Sequence, residues 1–245
     1  MRLWKHLKDI YTKMKKLISV IVMFCFISCS QKSEWIYLFD GKTTDGWRGY
    51  NSEVMPPGWI VKNGVLAFET KRRLESEYKG GRDIIYVKEE FENFELYLEW
   101  KISKGGNSGI LYHVKEGYNG PYEASPEYQL IDDLKWGEVN NSSLENWQKT
   151  AADYAMYDAE QTKNLIKPAE EWNSSKIIFT PSKVEHWLNG QLVLSFIPWS
   201  EDWNKRKERG KWKEFPDYGK YKKGFIALQD HDSSLSFREI KIKKL

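Results

Sequence analysis

Four polar side chains come in two pairs at strand spacing. Glu127 and Gln129 are two residues apart, and so are Gln229 and His231. On an extended chain, residues i and i+2 point to the same face. His186, one residue before Trp187, stands on a third strand-like run. If these faces line one concave sheet, a carboxylate, two amides and two imidazoles converge. Such a group can take a proton from carbon and polarise a carbonyl. Each residue alone also has a plainer use: His231 as a hydrogen-bonded loop residue after Asp230, His186 at a sandwich edge, and Asn107 in a turn.

Other chemistries lack their residues. The four histidines, His6, His113, His186 and His231, do not pair at metal-ligand spacing. There is no phosphate loop, no dinucleotide fingerprint and no G-x-S-x-G elbow. An ordinary glycosidase needs two carboxylates flanking the bond. Glu127 and Asp132 are five apart, so on an unbroken strand they point to opposite faces.

Short strands are the elements that would position these residues. In Phe94–Ile102 the apolar Phe94, Leu96, Leu98, Trp100 and Ile102 alternate with Glu95, Tyr97, Glu99 and Lys101, the pattern of a half-buried strand. Asn63-Gly64 and Asn189-Gly190 each separate two such runs and predict two-residue hairpins. Residues 105–109 read as a turn leading into a strand over 110–114, and further strands are expected over 35–39, 128–131, 175–180, 224–229 and 236–242. No long stretch has a helical period. Many short strands at even spacing indicate a sandwich or jelly roll. Residues 134–173 and 199–223 interrupt the pattern as long excursions, which in a small domain are usually functional or wrap the core.

The N-terminal part reads as an export signal. Lys15-Lys16, an apolar run from Leu17 to Ile27 and a small residue before Cys29 give a positive region, a hydrophobic region and a processing site. The run is shorter than the roughly 20 residues that span a bilayer. Residues 1–28 are thus expected to be a signal peptide, with Met14 as the true start, and residues 29–34 a tether. Cys29 would carry the lipid that holds the chain in the bacterial envelope, in the periplasm or at the outer membrane. Residues 35–245 then make a single domain without a disulfide framework or thiolate metal site. The net charge of +3 over the full chain includes the basic signal, so the domain is near neutral and no nucleic-acid partner is expected. Aromatic residues make up 15%, with 12 Trp and 14 Tyr, which leans toward carbohydrate.

Seven segments in register are similar to those of a known family. They are LFDGKTTDGW at 38–47, GGNSGI at 105–110, EYQLIDD at 127–133, KPAEEWN at 167–173, HWLNG at 186–190, KKGFIALQDH at 222–231 and FREIKI at 237–242. Together they resemble the 3-keto-glycoside lyases and hydratases, also called 3-keto-disaccharide hydrolases. Asp232 stands where that family usually has Gly, and Glu239 where it often has Asn. The resemblance implies an all-β, concanavalin A-like jelly-roll β-sandwich and a carbohydrate substrate. It implies cleavage of 3-keto-glycosides by elimination, with or without rehydration. His231 is the first choice of base and Glu127 the second. Gln129, Gln229 and Lys167 would be oxyanion or hydroxyl donors, and His186 and Tyr157 sources of the leaving-group proton. Asn107 and Asp132 complete the substrate-binding set. No cofactor is expected, and a bound divalent ion stays open. Two rivals stand beside this reading: a lectin-like module that binds without cleaving, and an ordinary glycoside hydrolase.

Overall fold

The Phe94–Ile102 alternation becomes a strand whose apolar residues are all buried and whose intervening residues are all part-exposed. The computed structural model describes Trp4 and residues 34–76, 82–160 and 162–245. The signal peptide and Cys29 lie outside the described residues. Glu34–Leu245 form one compact unit.

The described strands are β1 (Ile36–Tyr37), β2 (Trp47–Gly49), β3 (Trp59–Lys62), β4 (Val65–Phe68), β5 (Ile84–Phe91), β6 (Phe94–Ile102), β7 (Asn107–Val114), β8 (Glu127–Ile131), β9 (Asn173–Thr180), β10 (Lys183–Leu188), β11 (Gln191–Phe196), β12 (Gly224–Leu228) and β13 (Leu235–Lys244). They make two antiparallel sheets. One has the order β11-β10-β9-β6-β13-β4-β3 with β1 added on β13, and the other the order β2-β5-β12-β7-β8. The sheets pack face to face, with Phe94, Leu98, Trp100 and Phe237 of the first against Ile110, Tyr112, Tyr128 and Ile226 of the second. This is the concanavalin A-like jelly-roll sandwich expected from the sequence.

Both hairpin dipeptides turn as their residues require. Asn63 and Gly64 have φ of 53° and 79°, and Asn189 and Gly190 have 48° and 83°. Positive φ at both central positions is the turn that suits twisted strands. The aromatic residues are largely core material. Trp47, Trp59, Trp100, Trp203 and Trp212 are buried, and four of these indole N–H groups find partners inside: Trp47 donates to Leu38 O at 2.6 Å, Trp59 to Arg82 O at 2.8 Å, Trp100 to Ser175 Oγ at 2.9 Å and Trp212 to Tyr154 O at 3.0 Å. Much of the aromatic content therefore builds the fold.

Three elements were not legible in the pattern. Strand β2 is short, and β5 combines the apolar Ile84–Val87 with a charged second half. A helix over Glu201–Arg209 stands inside the second excursion. Its signals are local: Ser200 caps it by accepting from Trp203 N, acids fill the first turn and bases the last. The turn expected over 105–109 is shorter, since β7 begins at Asn107.

Candidate active site

The site lies on the outer face of the five-stranded sheet. On β8, Tyr128 and Leu130 belong to the core between the sheets, so Glu127 and Gln129 face outward. Gly109 of β7 pairs with Gln129, and Leu111 with Glu127. The Gln229 N–H donates to Gly109 O at 3.0 Å. Gln229, Gly109 and Gln129 thus form one row across three strands. Asp83 extends that row on the far side, because it precedes Ile84, the partner of Leu228. The Asp230 N–H donates to Asp83 Oδ1 at 2.9 Å, which tilts the Asp83 carboxyl toward β12.

Glu127 is only 4% exposed, and its carboxyl has no hydrogen-bond donor among the described residues. It lies over Gly109, where a Cβ would overlap its Oε1. Burial pushes the carboxyl up to about 8; the charge of Lys211 opposes this, and those of Asp83 and Asp153 add to it. Lys211 is held by aromatic faces, its Nζ 4.4 Å from the Tyr154 ring centroid and 4.8 Å from that of Trp212. The Tyr154 N–H in turn donates to Glu127 O at 3.0 Å. Enclosure lowers the Lys211 amine, and Glu127 partly restores it.

The opposite wall is a cleft of about 300 Å3 lined by Asp83, Asp230, His231, Arg82 and Tyr122 among others. Burial pushes Asp83 up to about 7; the Asp230 N–H lowers it, and the Asp230 charge raises it. Asp230 is itself raised to about 6, chiefly by burial. Arg82 forms an ion pair with Asp232. His231 is exposed on the loop after β12, and its ring makes no hydrogen bond among the described residues. Tyr122 presents a ring at the cleft, braced edge-on by Phe215 at 6.0 Å.

Five of the residues expected from the sequence gather here: Glu127, Gln129, Gln229, Asn107 and His231. Gln129 Nε2 donates to Asn107 Oδ1 at 3.3 Å and to Gln148 O at 3.1 Å, which ties the floor to the first excursion. Four others are engaged elsewhere. His186 lies on β10 in the other sheet and faces the interior, wholly buried, with its ring 4.7 Å from Tyr128 and Nδ1 2.8 Å from Ala151 O. Tyr157 gives its hydroxyl to Asp202 of the Glu201–Arg209 helix at 2.8 Å and stacks on Phe196. Lys167 gives its ammonium to Trp172 O at 2.9 Å, in a loop fastened to the β9–β10 region through Asn173. Asp132 is a turn fastener, accepting Gly105 N at 2.9 Å and Lys135 N at 3.2 Å.

The structure adds Asp83, Lys211 and Gly109. Lys211 sits in the second long excursion, 199–223, and Gly109 within a quoted motif, so both had a partial signal; Asp83 had none. Among the described residues, no group of three or more His, Cys, Asp or Glu is placed to hold a metal ion. The arrangement offers three raised carboxyls, a cation and several amides on one side of the five-stranded sheet, which is a set for moving protons and stabilising an oxyanion.

Residues 34–243 match the model of the 3-keto-alpha-glucoside-1,2-lyase-like domain. The chain is 34% identical over 236 residues to a 3-keto-disaccharide hydrolase of Bacteroides thetaiotaomicron, covering 86% of this chain and 78% of that one. A candidate glycosyl hydrolase from Parabacteroides distasonis, known as a crystal structure, superposes with a TM-score of 0.77 at 43% identity, over 86% of this chain and 94% of that one. A second from the same species gives 0.62 at 30% identity, over 86% and 100%.

Proposed function

Since this chain belongs to the family of 3-keto-alpha-glucoside-1,2-lyase-like domains and is an enzyme hydrolysing 3-keto-glycosides, we propose that it breaks the glycosidic bond by elimination, with Glu127 as the base at carbon 2. A ketone at carbon 3 acidifies the hydrogen on carbon 2. Removing that proton gives an enediolate, whose electrons expel the glycosidic oxygen from carbon 1. Water then adds to the unsaturated sugar and completes the hydrolysis.

One observation carries this reading: the Glu127 carboxyl is buried, has no donor among the described residues and is raised to about 8. A carboxylate stripped of hydrogen bonds is a far stronger base than one in water, and a base works best with its pKa near the working pH. The sequence favoured His231 because an unperturbed imidazole already titrates near neutrality. Burial gives Glu127 that property, while His231 is exposed and unoriented at the rim. Lys211, beside Glu127, is the natural partner for negative charge developing on the carbon 3 oxygen. Gln129 and Gln229 line the floor as donors to the sugar hydroxyls, and the Tyr122 ring offers a face for the sugar.

Two carboxyls on one face of the sheet also fit direct hydrolysis of a sugar never oxidised at carbon 3. The two routes differ at carbon 2. Turnover of a 3-keto-glucoside in deuterium oxide should place deuterium on carbon 2 of the product, read by mass and proton NMR. A product with its original hydrogen there would refute elimination.

A further inference from the structure

We propose that the Asp83 carboxyl is the acid that protonates the departing glycosidic oxygen and then the base that activates the water replacing it. The proposal rests on the elimination reading above and names the second half of its chemistry.

The sheet register brings Asp83 opposite Glu127. Strands β5 and β7 are separated by β12 alone, so at about 4.8 Å per spacing the backbones of Asp83 and Gly109 are about 10 Å apart. Both side chains lean into that interval. Glu127 reaches over Gly109 from β8, and Asp83 tilts toward β12 to accept the Asp230 N–H. Gln229 lies on the floor between them. Two-carboxyl sites that admit a water between acid and base are about 6.5–9.5 Å apart. A sugar seated over Gln229 therefore meets Glu127 at one carbon and Asp83 at the next.

The surroundings of Asp83 suit an acid. Asp230, 7% exposed and with Oδ2 unpartnered, stands against it and disfavours a second negative charge. The nearby cation, Arg82, is engaged by Asp232. The other titratable groups facing Asp83 are Tyr50, Tyr122 and His231 in the cleft, and Glu127 with Lys211 across the sheet. An acid must also reach solvent to be recharged, and Asp83 lines the open cleft.

The steps balance. The Glu127 carboxylate takes the carbon 2 proton, and the C–H electron pair passes into the enediolate. That collapses to a carbon 1–carbon 2 double bond with the ketone restored, while the carbon 1–oxygen bond breaks. The leaving oxygen takes the proton of Asp83 and departs as an alcohol. The Asp83 carboxylate then takes a proton from water as its oxygen bonds to carbon 1, and Glu127, its proton exchanged with solvent, delivers one to carbon 2. Both carboxyls end as they began.

The test compares two 3-keto-glucosides, one with a nitrophenol leaving group and one with a simple alkyl alcohol. Nitrophenolate leaves without an acid, whereas an alkoxide does not. Asp83→Asn should slow the alkyl substrate by roughly 10²–10⁴-fold, the usual share of general acid catalysis. It should release nitrophenol at a rate much closer to wild type, with the unsaturated ketone accumulating. Glu127→Gln should abolish both reactions. Equal slowing of both substrates by Asp83→Asn, or no slowing of either, would overturn the assignment. Should that variant fail to fold, the wild type answers instead: the alkyl substrate should require a protonated group that the nitrophenyl substrate does not, and identical pH profiles for the two would count against Asp83. Absence of carbon 2 deuterium in wild-type product would strike the elimination reading itself, a separate outcome.

Discussion

The Glu127 carboxyl occupies the place on β7 where a side chain of Gly109 would be. No positive φ is involved at Gly109, so its role is one of space rather than backbone freedom. Gly109→Ala should drive the carboxylate off its position while the strand stays intact. A displacement of about 1 Å at a reacting group can cost roughly 10²-fold, and a loss of that order in kcat/KM is expected with little change in Tm. Shortening the acid in the same background, by Glu127→Asp, should restore part of the activity. A Gly109→Ala enzyme with wild-type turnover would remove Glu127 from the chemistry.

Two of the raised carboxyls, Glu127 and Asp83, predict a bell-shaped pH profile. Catalysis needs Glu127 ionised and Asp83 protonated, and their values of about 8 and about 7 place the optimum between them. The two limbs belong to the coupled pair. Asp230 is ionised in this range and raises Asp83 through its charge. Asp230→Asn removes that charge, so the Asp83 proton is lost at lower pH. The acid-side limb should move down, the alkaline limb stay, and the maximum fall as the productive form becomes rarer. A limb that moves upward would contradict the sign.

How far the sequence carries depends on whether a feature is local. The alternation of β6, the two Asn-Gly hairpins and the shared face of Glu127 and Gln129 are matters of spacing along one strand, and each holds in the structure. The grouping of His186 with Glu127 is different in kind. It needed β10 and β8 to lie in one sheet, and they lie in opposite sheets. Strand periodicity gives the face and not the partner. Asp83 shows the same limit from the other side: nothing near it in the chain marks it, and only the pairing of β5 with β12 sets it beside Asp230.

His186 offers a test of that correction. Burial holds its imidazole down at about 4, against about 6.5 in an unfolded chain. The folded state therefore resists protonation, and stability present above pH 6.5 is lost as pH falls toward 4. At about 1.4 kcal/mol per unit, the loss approaches about 3 kcal/mol. His186→Gln can keep a donor toward Ala151 O but cannot titrate. It should unfold at lower pH than the wild type, followed by circular dichroism, and keep activity at neutral pH within a few-fold. A loss of turnover as large as that of Glu127→Gln would return His186 to the catalytic set.

The order of Lys15-Lys16, the apolar run and Cys29 predicts export and lipidation. Cys29→Ser should leave the chain uncleaved or unlipidated and displace it from the membrane fraction of expressing cells, read by intact mass and fractionation. An unchanged mass and distribution would reject the lipoprotein reading.

Lys211 should act on both the charge of Glu127 and the stability of the enediolate. Its ammonium lowers the Glu127 value against the pull of burial. Lys211→Met keeps an apolar stem against the Tyr154 and Trp212 rings but removes the charge. Glu127 then ionises at higher pH, so the alkaline limb of the profile should move up. The developing oxyanion also loses a partner, and removing one such donor costs roughly 10²–10³-fold in kcat. Lys211→Arg, which keeps the charge over the same aromatic faces, should recover much of both effects. If Lys211→Met lowered kcat and left the alkaline limb in place, Lys211 would serve the substrate alone, and Glu127 would owe its value to burial and its acidic neighbours.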